Sequence, residues 1–199
     1  MLKSGLIATG MAILCLAGAR LEAQMDAGWQ RIAPEGVQRA SGIVDSVYVD
    51  RLVPRGQVQG GDFTAYLMAR LGIPSLPDDF GFRVLVDSSA IRIGGTIADL
   101  SAEARRALAQ LVMILPPSTR LEARVTLLPA GGRAVRFHLD GATVQGIPIP
   151  ESVLGPAMRS VGRDYPALTE TGRDLFIQIP AGGKMKLMPG AVLLIGPPR

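Results

Sequence analysis

Apolar and polar positions alternate most regularly between residues 120 and 140. Leu121, Ala123, Val125 and Leu127 interleave with Arg120, Glu122, Arg124 and Thr126, and after Pro129-Ala130-Gly131-Gly132 the pattern returns as Val135, Phe137 and Leu139 against Arg136, His138 and Asp140. A period of two with one apolar and one charged face predicts an antiparallel hairpin lying on a core. Phe80, Phe82, Val84 and Val86 alternate with Gly81, Arg83, Leu85 and Asp87, and Ser88-Ser89 interrupts them. Ile91, Ile93 and Ile97 continue as a second strand, with a bulge or bend expected at Gly94-Gly95. Three closing strands follow from Leu175, Ile177 and Ile179, from Met185 and Leu187, and from residues 192–195, separated by Pro180-Ala181-Gly182-Gly183 and Pro189-Gly190. The β-branched residues Ile43, Val44, Val47, Val49 and Val53 predict one more strand within 41–53.

A helical period appears in three other places. Asp62 is a plausible N-cap for a helix carrying Phe63, Tyr66, Leu67 and Leu71, which Gly72 and Pro74 stop; 74–79 reads as a loop. Ser101 caps a second, with Ala104, Leu108, Leu111, Val112 and Leu115 on one face before Pro116-Pro117. A third, over 151–161, carries Val153, Leu154, Ala157, Met158 and Val161 around an awkward Pro156. Residues 24–41 show no clear period, and 142–150 read as extended. The order is not a strict βαβ alternation, so the expected class is α+β: a curved, mostly antiparallel sheet of about seven or eight strands with about three short amphipathic helices packed on it.

The N-terminus departs from both periods. Lys3 precedes an uncharged apolar run over 6–17, and Leu21-Glu22-Ala23 offers a small-residue cleavage site, so residues 1–23 read as a secretory signal peptide and 24–199 as a single α+β domain. The run is too short for the ~20 apolar residues of a membrane span. Export places the protein in the periplasm or outside the cell.

Processing sharpens the composition. The only cysteine, Cys15, leaves with the signal, and the net charge goes from +4 to +3 with the loss of Lys3, Arg20 and Glu22. The remaining chain has no thiol, one histidine, and two lysines, Lys184 and Lys186. One Cys and one His cannot make a zinc site, so no metal and no cofactor is expected. So small a charge is no nucleic-acid signature.

Candidate chemistry is thin. His138 lies in the polar register between Arg136 and Asp140, and the chain has no G-x-S-x-G. The Gly94-Gly95, Gly131-Gly132 and Gly182-Gly183 pairs lack phosphate-loop spacing and read as turns. Asp78-Asp79 lacks further oxygen ligands at alternating positions and is no calcium loop. Val84-Leu85-Val86-Asp87-Ser88-Ser89-Ala90 resembles the active-site motif of retroviral-type aspartic proteases, with Leu194-Ile195-Gly196 resembling their later apolar-apolar-Gly. Ser89, however, stands where that family has its turn glycine, and a polar hairpin turn explains the residues as well. No catalytic residue is assigned.

The arrangement of apolar faces is then the informative feature. Phe63, Tyr66, Leu67, Leu71, Leu111, Val112, Leu115, Val153, Leu154 and Met158 could line an apolar groove between helices and sheet. The segment Gly61-Asp62-Phe63-Thr64-Ala65-Tyr66-Leu67-Met68, the strand pair over 82–93, and Leu139-Asp140-Gly141-Ala142-Thr143-Val144-Gln145-Gly146-Ile147-Pro148-Ile149-Pro150 together resemble LmeA-like envelope phospholipid-binding proteins of the tubular lipid-binding superfamily. That resemblance implies a curved sheet holding lipid tails and no catalytic step. The expected role is an exported envelope protein binding an apolar or phospholipid-like ligand, with Arg83, Arg92, Arg120, Arg124 and Arg136 meeting an anionic membrane surface. The alternative is a structural or interaction module of the envelope with a filled core and protein partners of unknown kind.

Overall fold

The computed structural model describes residues 28–73, 80–100, 105 and 115–198. In chain order these form β1 (Gln30–Arg31), α1 (Glu35–Val44) running into one π-helical turn (Asp45–Val49), β2 (Arg55–Gln59), α2 (Gly60–Arg70), β3 (Arg83–Val86), β4 (Ile91–Thr96), a 3-10 turn (Ile97–Asp99), β5 (Arg120–Pro129), β6 (Ala134–Val144), β7 (Ile147–Pro148), α3 (Glu151–Asp164), β8 (Asp174–Gln178), β9 (Lys184–Met188) and β10 (Ala191–Ile195). The class is α+β. Seven strands make one open sheet in the order β1-β3-β4-β5-β6-β7, with β8 on the edge of β6, and β2-β10-β9 make a second. Every pairing is antiparallel. The expected signal segment 1–23, the expected loop over 74–79 and, apart from residues 105 and 115, the expected helix over 101–115 lie outside the described residues.

The hairpins follow the alternation that predicts them. Val84 faces Ile93 and Val86 faces Ile91, which puts the odd residues of β4 and the even residues of β3 on the inner face. In β5–β6 the register shifts between Arg124 and Val125, so that Asp140 is left unpaired. This bulge switches parity: Phe137 and Leu139 face inward before it, and Ala142 and Val144 after it. The strand expected to end at Asp140 therefore continues to Val144.

The strand expected over 41–53 is a correction: its first part is α1 and the π turn. Gly36, Ala40, Val47 and Tyr48 are buried, with Ile43 and Val44 packed against the core. Positions 36, 40, 43, 44 and 47 follow a helical period, which outweighs β-branched composition once a core is available. Val49 and Val53, the remaining members of the supposed strand, are exposed. At Gly36 a Cβ would lie 2.8 Å from the Asp62 Cα, so glycine lets α1 cross α2 closely.

Helix α2 starts two residues before the expected cap. A Cβ at Gly61 would lie 2.2 Å from the Arg31 carbonyl oxygen, and one at Gly60 2.6 Å from Val86, so only glycine fits where the start of the helix packs against β1 and β3. Asp62, freed from capping, takes a two-pronged bond from Arg39 at 2.6 and 2.9 Å. The far end closes as expected at Gly72, with φ +86°, through Gly72 N–H to Ala69 C=O and Ile73 N–H to Met68 C=O.

The core lies between the large sheet, α1, α2 and the small sheet. Val84, Val86, Ile91, Val135, Phe137, Leu175 and Ile177 supply one wall, and Phe63, Val47, Val58, Val192, Leu194 and Met185 the other. Phe63 and Phe137 bring their ring centroids to 5.7 Å. Gln30 ties the two sheets together: its amide donates to the Gly190 carbonyl at 2.6 Å and accepts from the Gly61 N–H at 2.9 Å.

Candidate functional site

Helix α3 covers the part of the inner sheet face that α1 and α2 leave open. Pro150 precedes it and accepts hydrogen bonds from the Val153 and Leu154 N–H groups. Pro156 in the second turn is exposed, and the helix tolerates it with the buried residues Leu154, Gly155, Ala157 and Gly162 turned inward. The following loop folds back on the helix through two glycines. A Cβ at Gly172 would lie 1.8 Å from the Met158 carbonyl oxygen, and one at Gly162 2.7 Å from that of Thr169. Glu151 and Arg173 form an ion pair that pins the first turn of the helix beside the start of β8.

Between this helix and the sheet lies a cavity of about 210 Å³. Leu154, Ala157, Met158 and Val161 form its helical wall, at the i, i+3, i+4, i+7 spacing of one stripe. Leu121 and Ala123 of β5, Leu139 and Ala142 of β6, and Ile93 of β4 form the floor; Phe82, Leu100 and Ile149 close the sides. Glu122 and Thr143 also border it, yet only apolar atoms line the space. A dry apolar cavity of about 150 Å³ accepts benzene, so this one has room for a ring or a short alkyl segment.

Of the residues expected to line a groove, Leu154 and Met158 border this cavity. Phe63 is fully buried in the main core, and Tyr66, Leu67 and Leu71 pack against that core from α2. Leu115 and Val153 are half-buried and do not border the cavity; Leu111 and Val112 lie outside the described residues. The floor residues are the ones missed. Their signal was the inward register of β4, β5 and β6, hidden in part by the parity switch at Asp140.

The opposite, polar face of the large sheet carries the charges. Arg92 lies 3.9 Å from Asp87 and 3.8 Å from Glu122, Arg124 lies 3.4 Å from Asp140, and Arg136 lies 3.6 Å from Asp174. Arg83 is engaged as well. Of the five arginines expected to meet anionic groups, Arg92, Arg124 and Arg136 are in ion pairs, and Arg120 has none among the described residues. His138, read from sequence as solvated, bonds Asp174 at 2.7 Å. Next to this cluster a broad concavity of about 920 Å³ is bordered by Trp29, Arg83, Arg92, Thr96, Arg120 and Gln145. Trp29 lies over Gly94, where a Cβ would come within 2.9 Å of the ring.

The Asp87-Ser88-Ser89 segment is the turn between β3 and β4. Asp87 Oδ1 accepts from the Ser89 hydroxyl at 2.7 Å, the Ser89 N–H at 2.7 Å and the Ala90 N–H at 2.8 Å. These bonds hold its carboxyl below the ordinary value, against the opposing effect of burial, with Arg92 adding a small pull in the same direction. A carboxylate committed in this way to its own turn is poorly placed to share a proton with a second aspartate.

No family model, curated protein or solved structure matches this chain. Among the described residues no group of His, Cys, Asp or Glu is arranged to hold a metal ion, and no helix is long and apolar enough to cross a membrane.

Proposed function

We propose that the protein binds an apolar ligand, or the apolar end of a larger one such as a phospholipid tail, between α3 and the large sheet, without a catalytic step. The cavity carries this reading. About 210 Å³ of space lined only by apolar atoms lies between the helix and the sheet, in a cleft partly open to solvent, and a concave apolar site of this kind is where a ligand's apolar part binds. Its size also limits the ligand. Sites that enclose a drug-sized molecule measure about 300–1,000 Å³, so a whole phospholipid does not fit and only a tail segment enters. The uncharged apolar run over 6–17 supports an exported, envelope-associated protein.

The test uses native mass spectrometry of the protein as purified, and its thermal unfolding with and without saturating 1-octanol. The expected result is a co-purifying apolar molecule or a rise in Tm, lost in Ala157→Leu, which fills the helical wall of the cavity. A chain of uniform mass whose Tm octanol leaves unchanged would favour the second reading, an envelope interaction module with a filled core. The close packing around Phe63 is the observation on that side.

A further inference from the structure

On the large sheet Arg92, Arg124 and Arg136 each lie within 4 Å of a carboxylate, and among the described residues the cations of the small sheet do not. On the outer face of the small sheet the register places Arg55, Ile195 and Lys184 in one row, and Gln57, Leu193 and Lys186 in the next. Both lysines that follow residue 3 therefore share one strand of one face. No ion pair among the described residues involves Arg55, Lys184 or Lys186.

Beside the first row, the chain from the last residue of the π turn to β2 exposes three apolar side chains. Val49 and Leu52 are each 68% exposed and Val53 is 41% exposed. Their backbone is tied down. Ser46 C=O accepts from the Leu52 N–H at 2.8 Å and the Val53 N–H at 3.3 Å, and Asp45 C=O accepts from the Asp50 N–H at 2.8 Å. Arg51 takes a left-handed φ of +55°, which reverses the chain. Two further bonds anchor the loop to the small sheet: the Tyr48 hydroxyl donates to the Lys184 carbonyl at 2.6 Å, and the Gly196 N–H to that of Pro54 at 2.9 Å.

We propose that the 49–53 loop and the adjoining basic face of the small sheet form a docking surface for an anionic lipid bilayer. A preformed apolar tip can enter the acyl boundary while neighbouring cations stay at headgroup level, and apolar insertion combined with basic charge is what gives a surface-bound protein stable attachment. Asp50 lies within the loop, at the end of the π turn, and Asp45 opens that turn; the cations of Arg55, Lys184 and Lys186 outnumber these two carboxylates. The proposal does not depend on the cavity holding a ligand, and its test leaves the cavity untouched.

Full-length chains are compared, so the apolar N-terminal run contributes equally to each. The parent is expected to sediment with vesicles of equal parts phosphatidylglycerol and phosphatidylcholine, more strongly than with phosphatidylcholine alone. The Leu52→Asp, Val53→Asp double variant is expected to lose on the order of tenfold in affinity with its Tm unchanged, and added salt to weaken the parent. A second readout locates the contact. In a Cys15→Ser background, an environment-sensitive fluorophore on Leu52→Cys should shift its emission to the blue on anionic vesicles, and the same label on Ser88→Cys should not. Equal binding by parent and double variant, equal binding to both vesicle types, or an unshifted label at position 52 would overturn the proposal.

Discussion

His138 and Asp174 stand directly opposite each other on β6 and β8, with Nδ1 2.7 Å from Oδ1. Asp174 also faces Arg136 and is the more sheltered partner, its side chain 16% exposed. The only imidazole in the chain thus fastens the edge strand β8 to the sheet. Asp174→Ala is expected to cost about 1–3 kcal/mol, because it removes the sheltered, charged partner of the His138 hydrogen bond and of the Arg136 ion pair. Asp140→Ala, whose side chain is 35% exposed beside Arg124, should cost less than about 1 kcal/mol. Urea unfolding midpoints of the two variants check the order.

The two apolar regions should respond differently to truncation. Phe63→Ala removes a fully buried ring from contact with Phe137 and should cost about 3–5 kcal/mol. Met158→Ala widens a space that is already open, so its cost should fall near the lower end of the roughly 2–5 kcal/mol range for such changes. Calorimetric unfolding of both variants measures the difference, and the Met158→Ala protein should admit a larger apolar probe.

Trp29 is the only tryptophan, so its fluorescence reports on one place. Gly94→Ala puts a methyl group where the ring now lies, and is expected to displace Trp29 from β4 and red-shift its emission as the indole meets water. Gly131→Ala, in an open turn with no atom within 4 Å of the new Cβ, should leave the spectrum unchanged.

The hairpins were legible because their alternation is continuous and one face of each is buried. Val84 to Val86 and Ile91 to Ile93 need only the period of two to place them. The first helix was not, because Ile43, Val44 and Val47 satisfy both a composition that favours strands and a spacing that favours helices, and only packing against α2 and the small sheet decides between them. β2 escaped notice because Arg55, Gln57 and Gln59 leave Val58 as its one buried side chain. A small part of the candidate site could be seen: of the residues that border the cavity, Leu154 and Met158 were among those expected, on a recognisable helical stripe. The floor depends on which strands meet beneath that helix, a matter of tertiary register that no local pattern states.

Burial pushes the Tyr48 hydroxyl up to about 12. The folded state favours the neutral phenol, so this contribution to stability is complete below the ordinary value of about 10 and is lost as pH rises from there through 12. Stability should therefore decline in that alkaline window, and Tyr48→Phe should flatten the decline while costing about 0.5–1.5 kcal/mol at neutral pH through the lost bond to Lys184. Chemical denaturation between pH 8 and 11, on parent and variant, tests both statements.

The bond from Gln30 to Gly190 joins positions 160 residues apart, and β2 pairs with β10 across most of the same stretch of chain. As the polypeptide leaves the ribosome, β2 has no partner until β10 has been made, and the wall formed by Val58, Val192 and Leu194 cannot close before then. Contacts so distant in sequence slow folding and keep the nascent chain open until synthesis is nearly complete. A chain that must cross a membrane as an unfolded thread would gain from that delay.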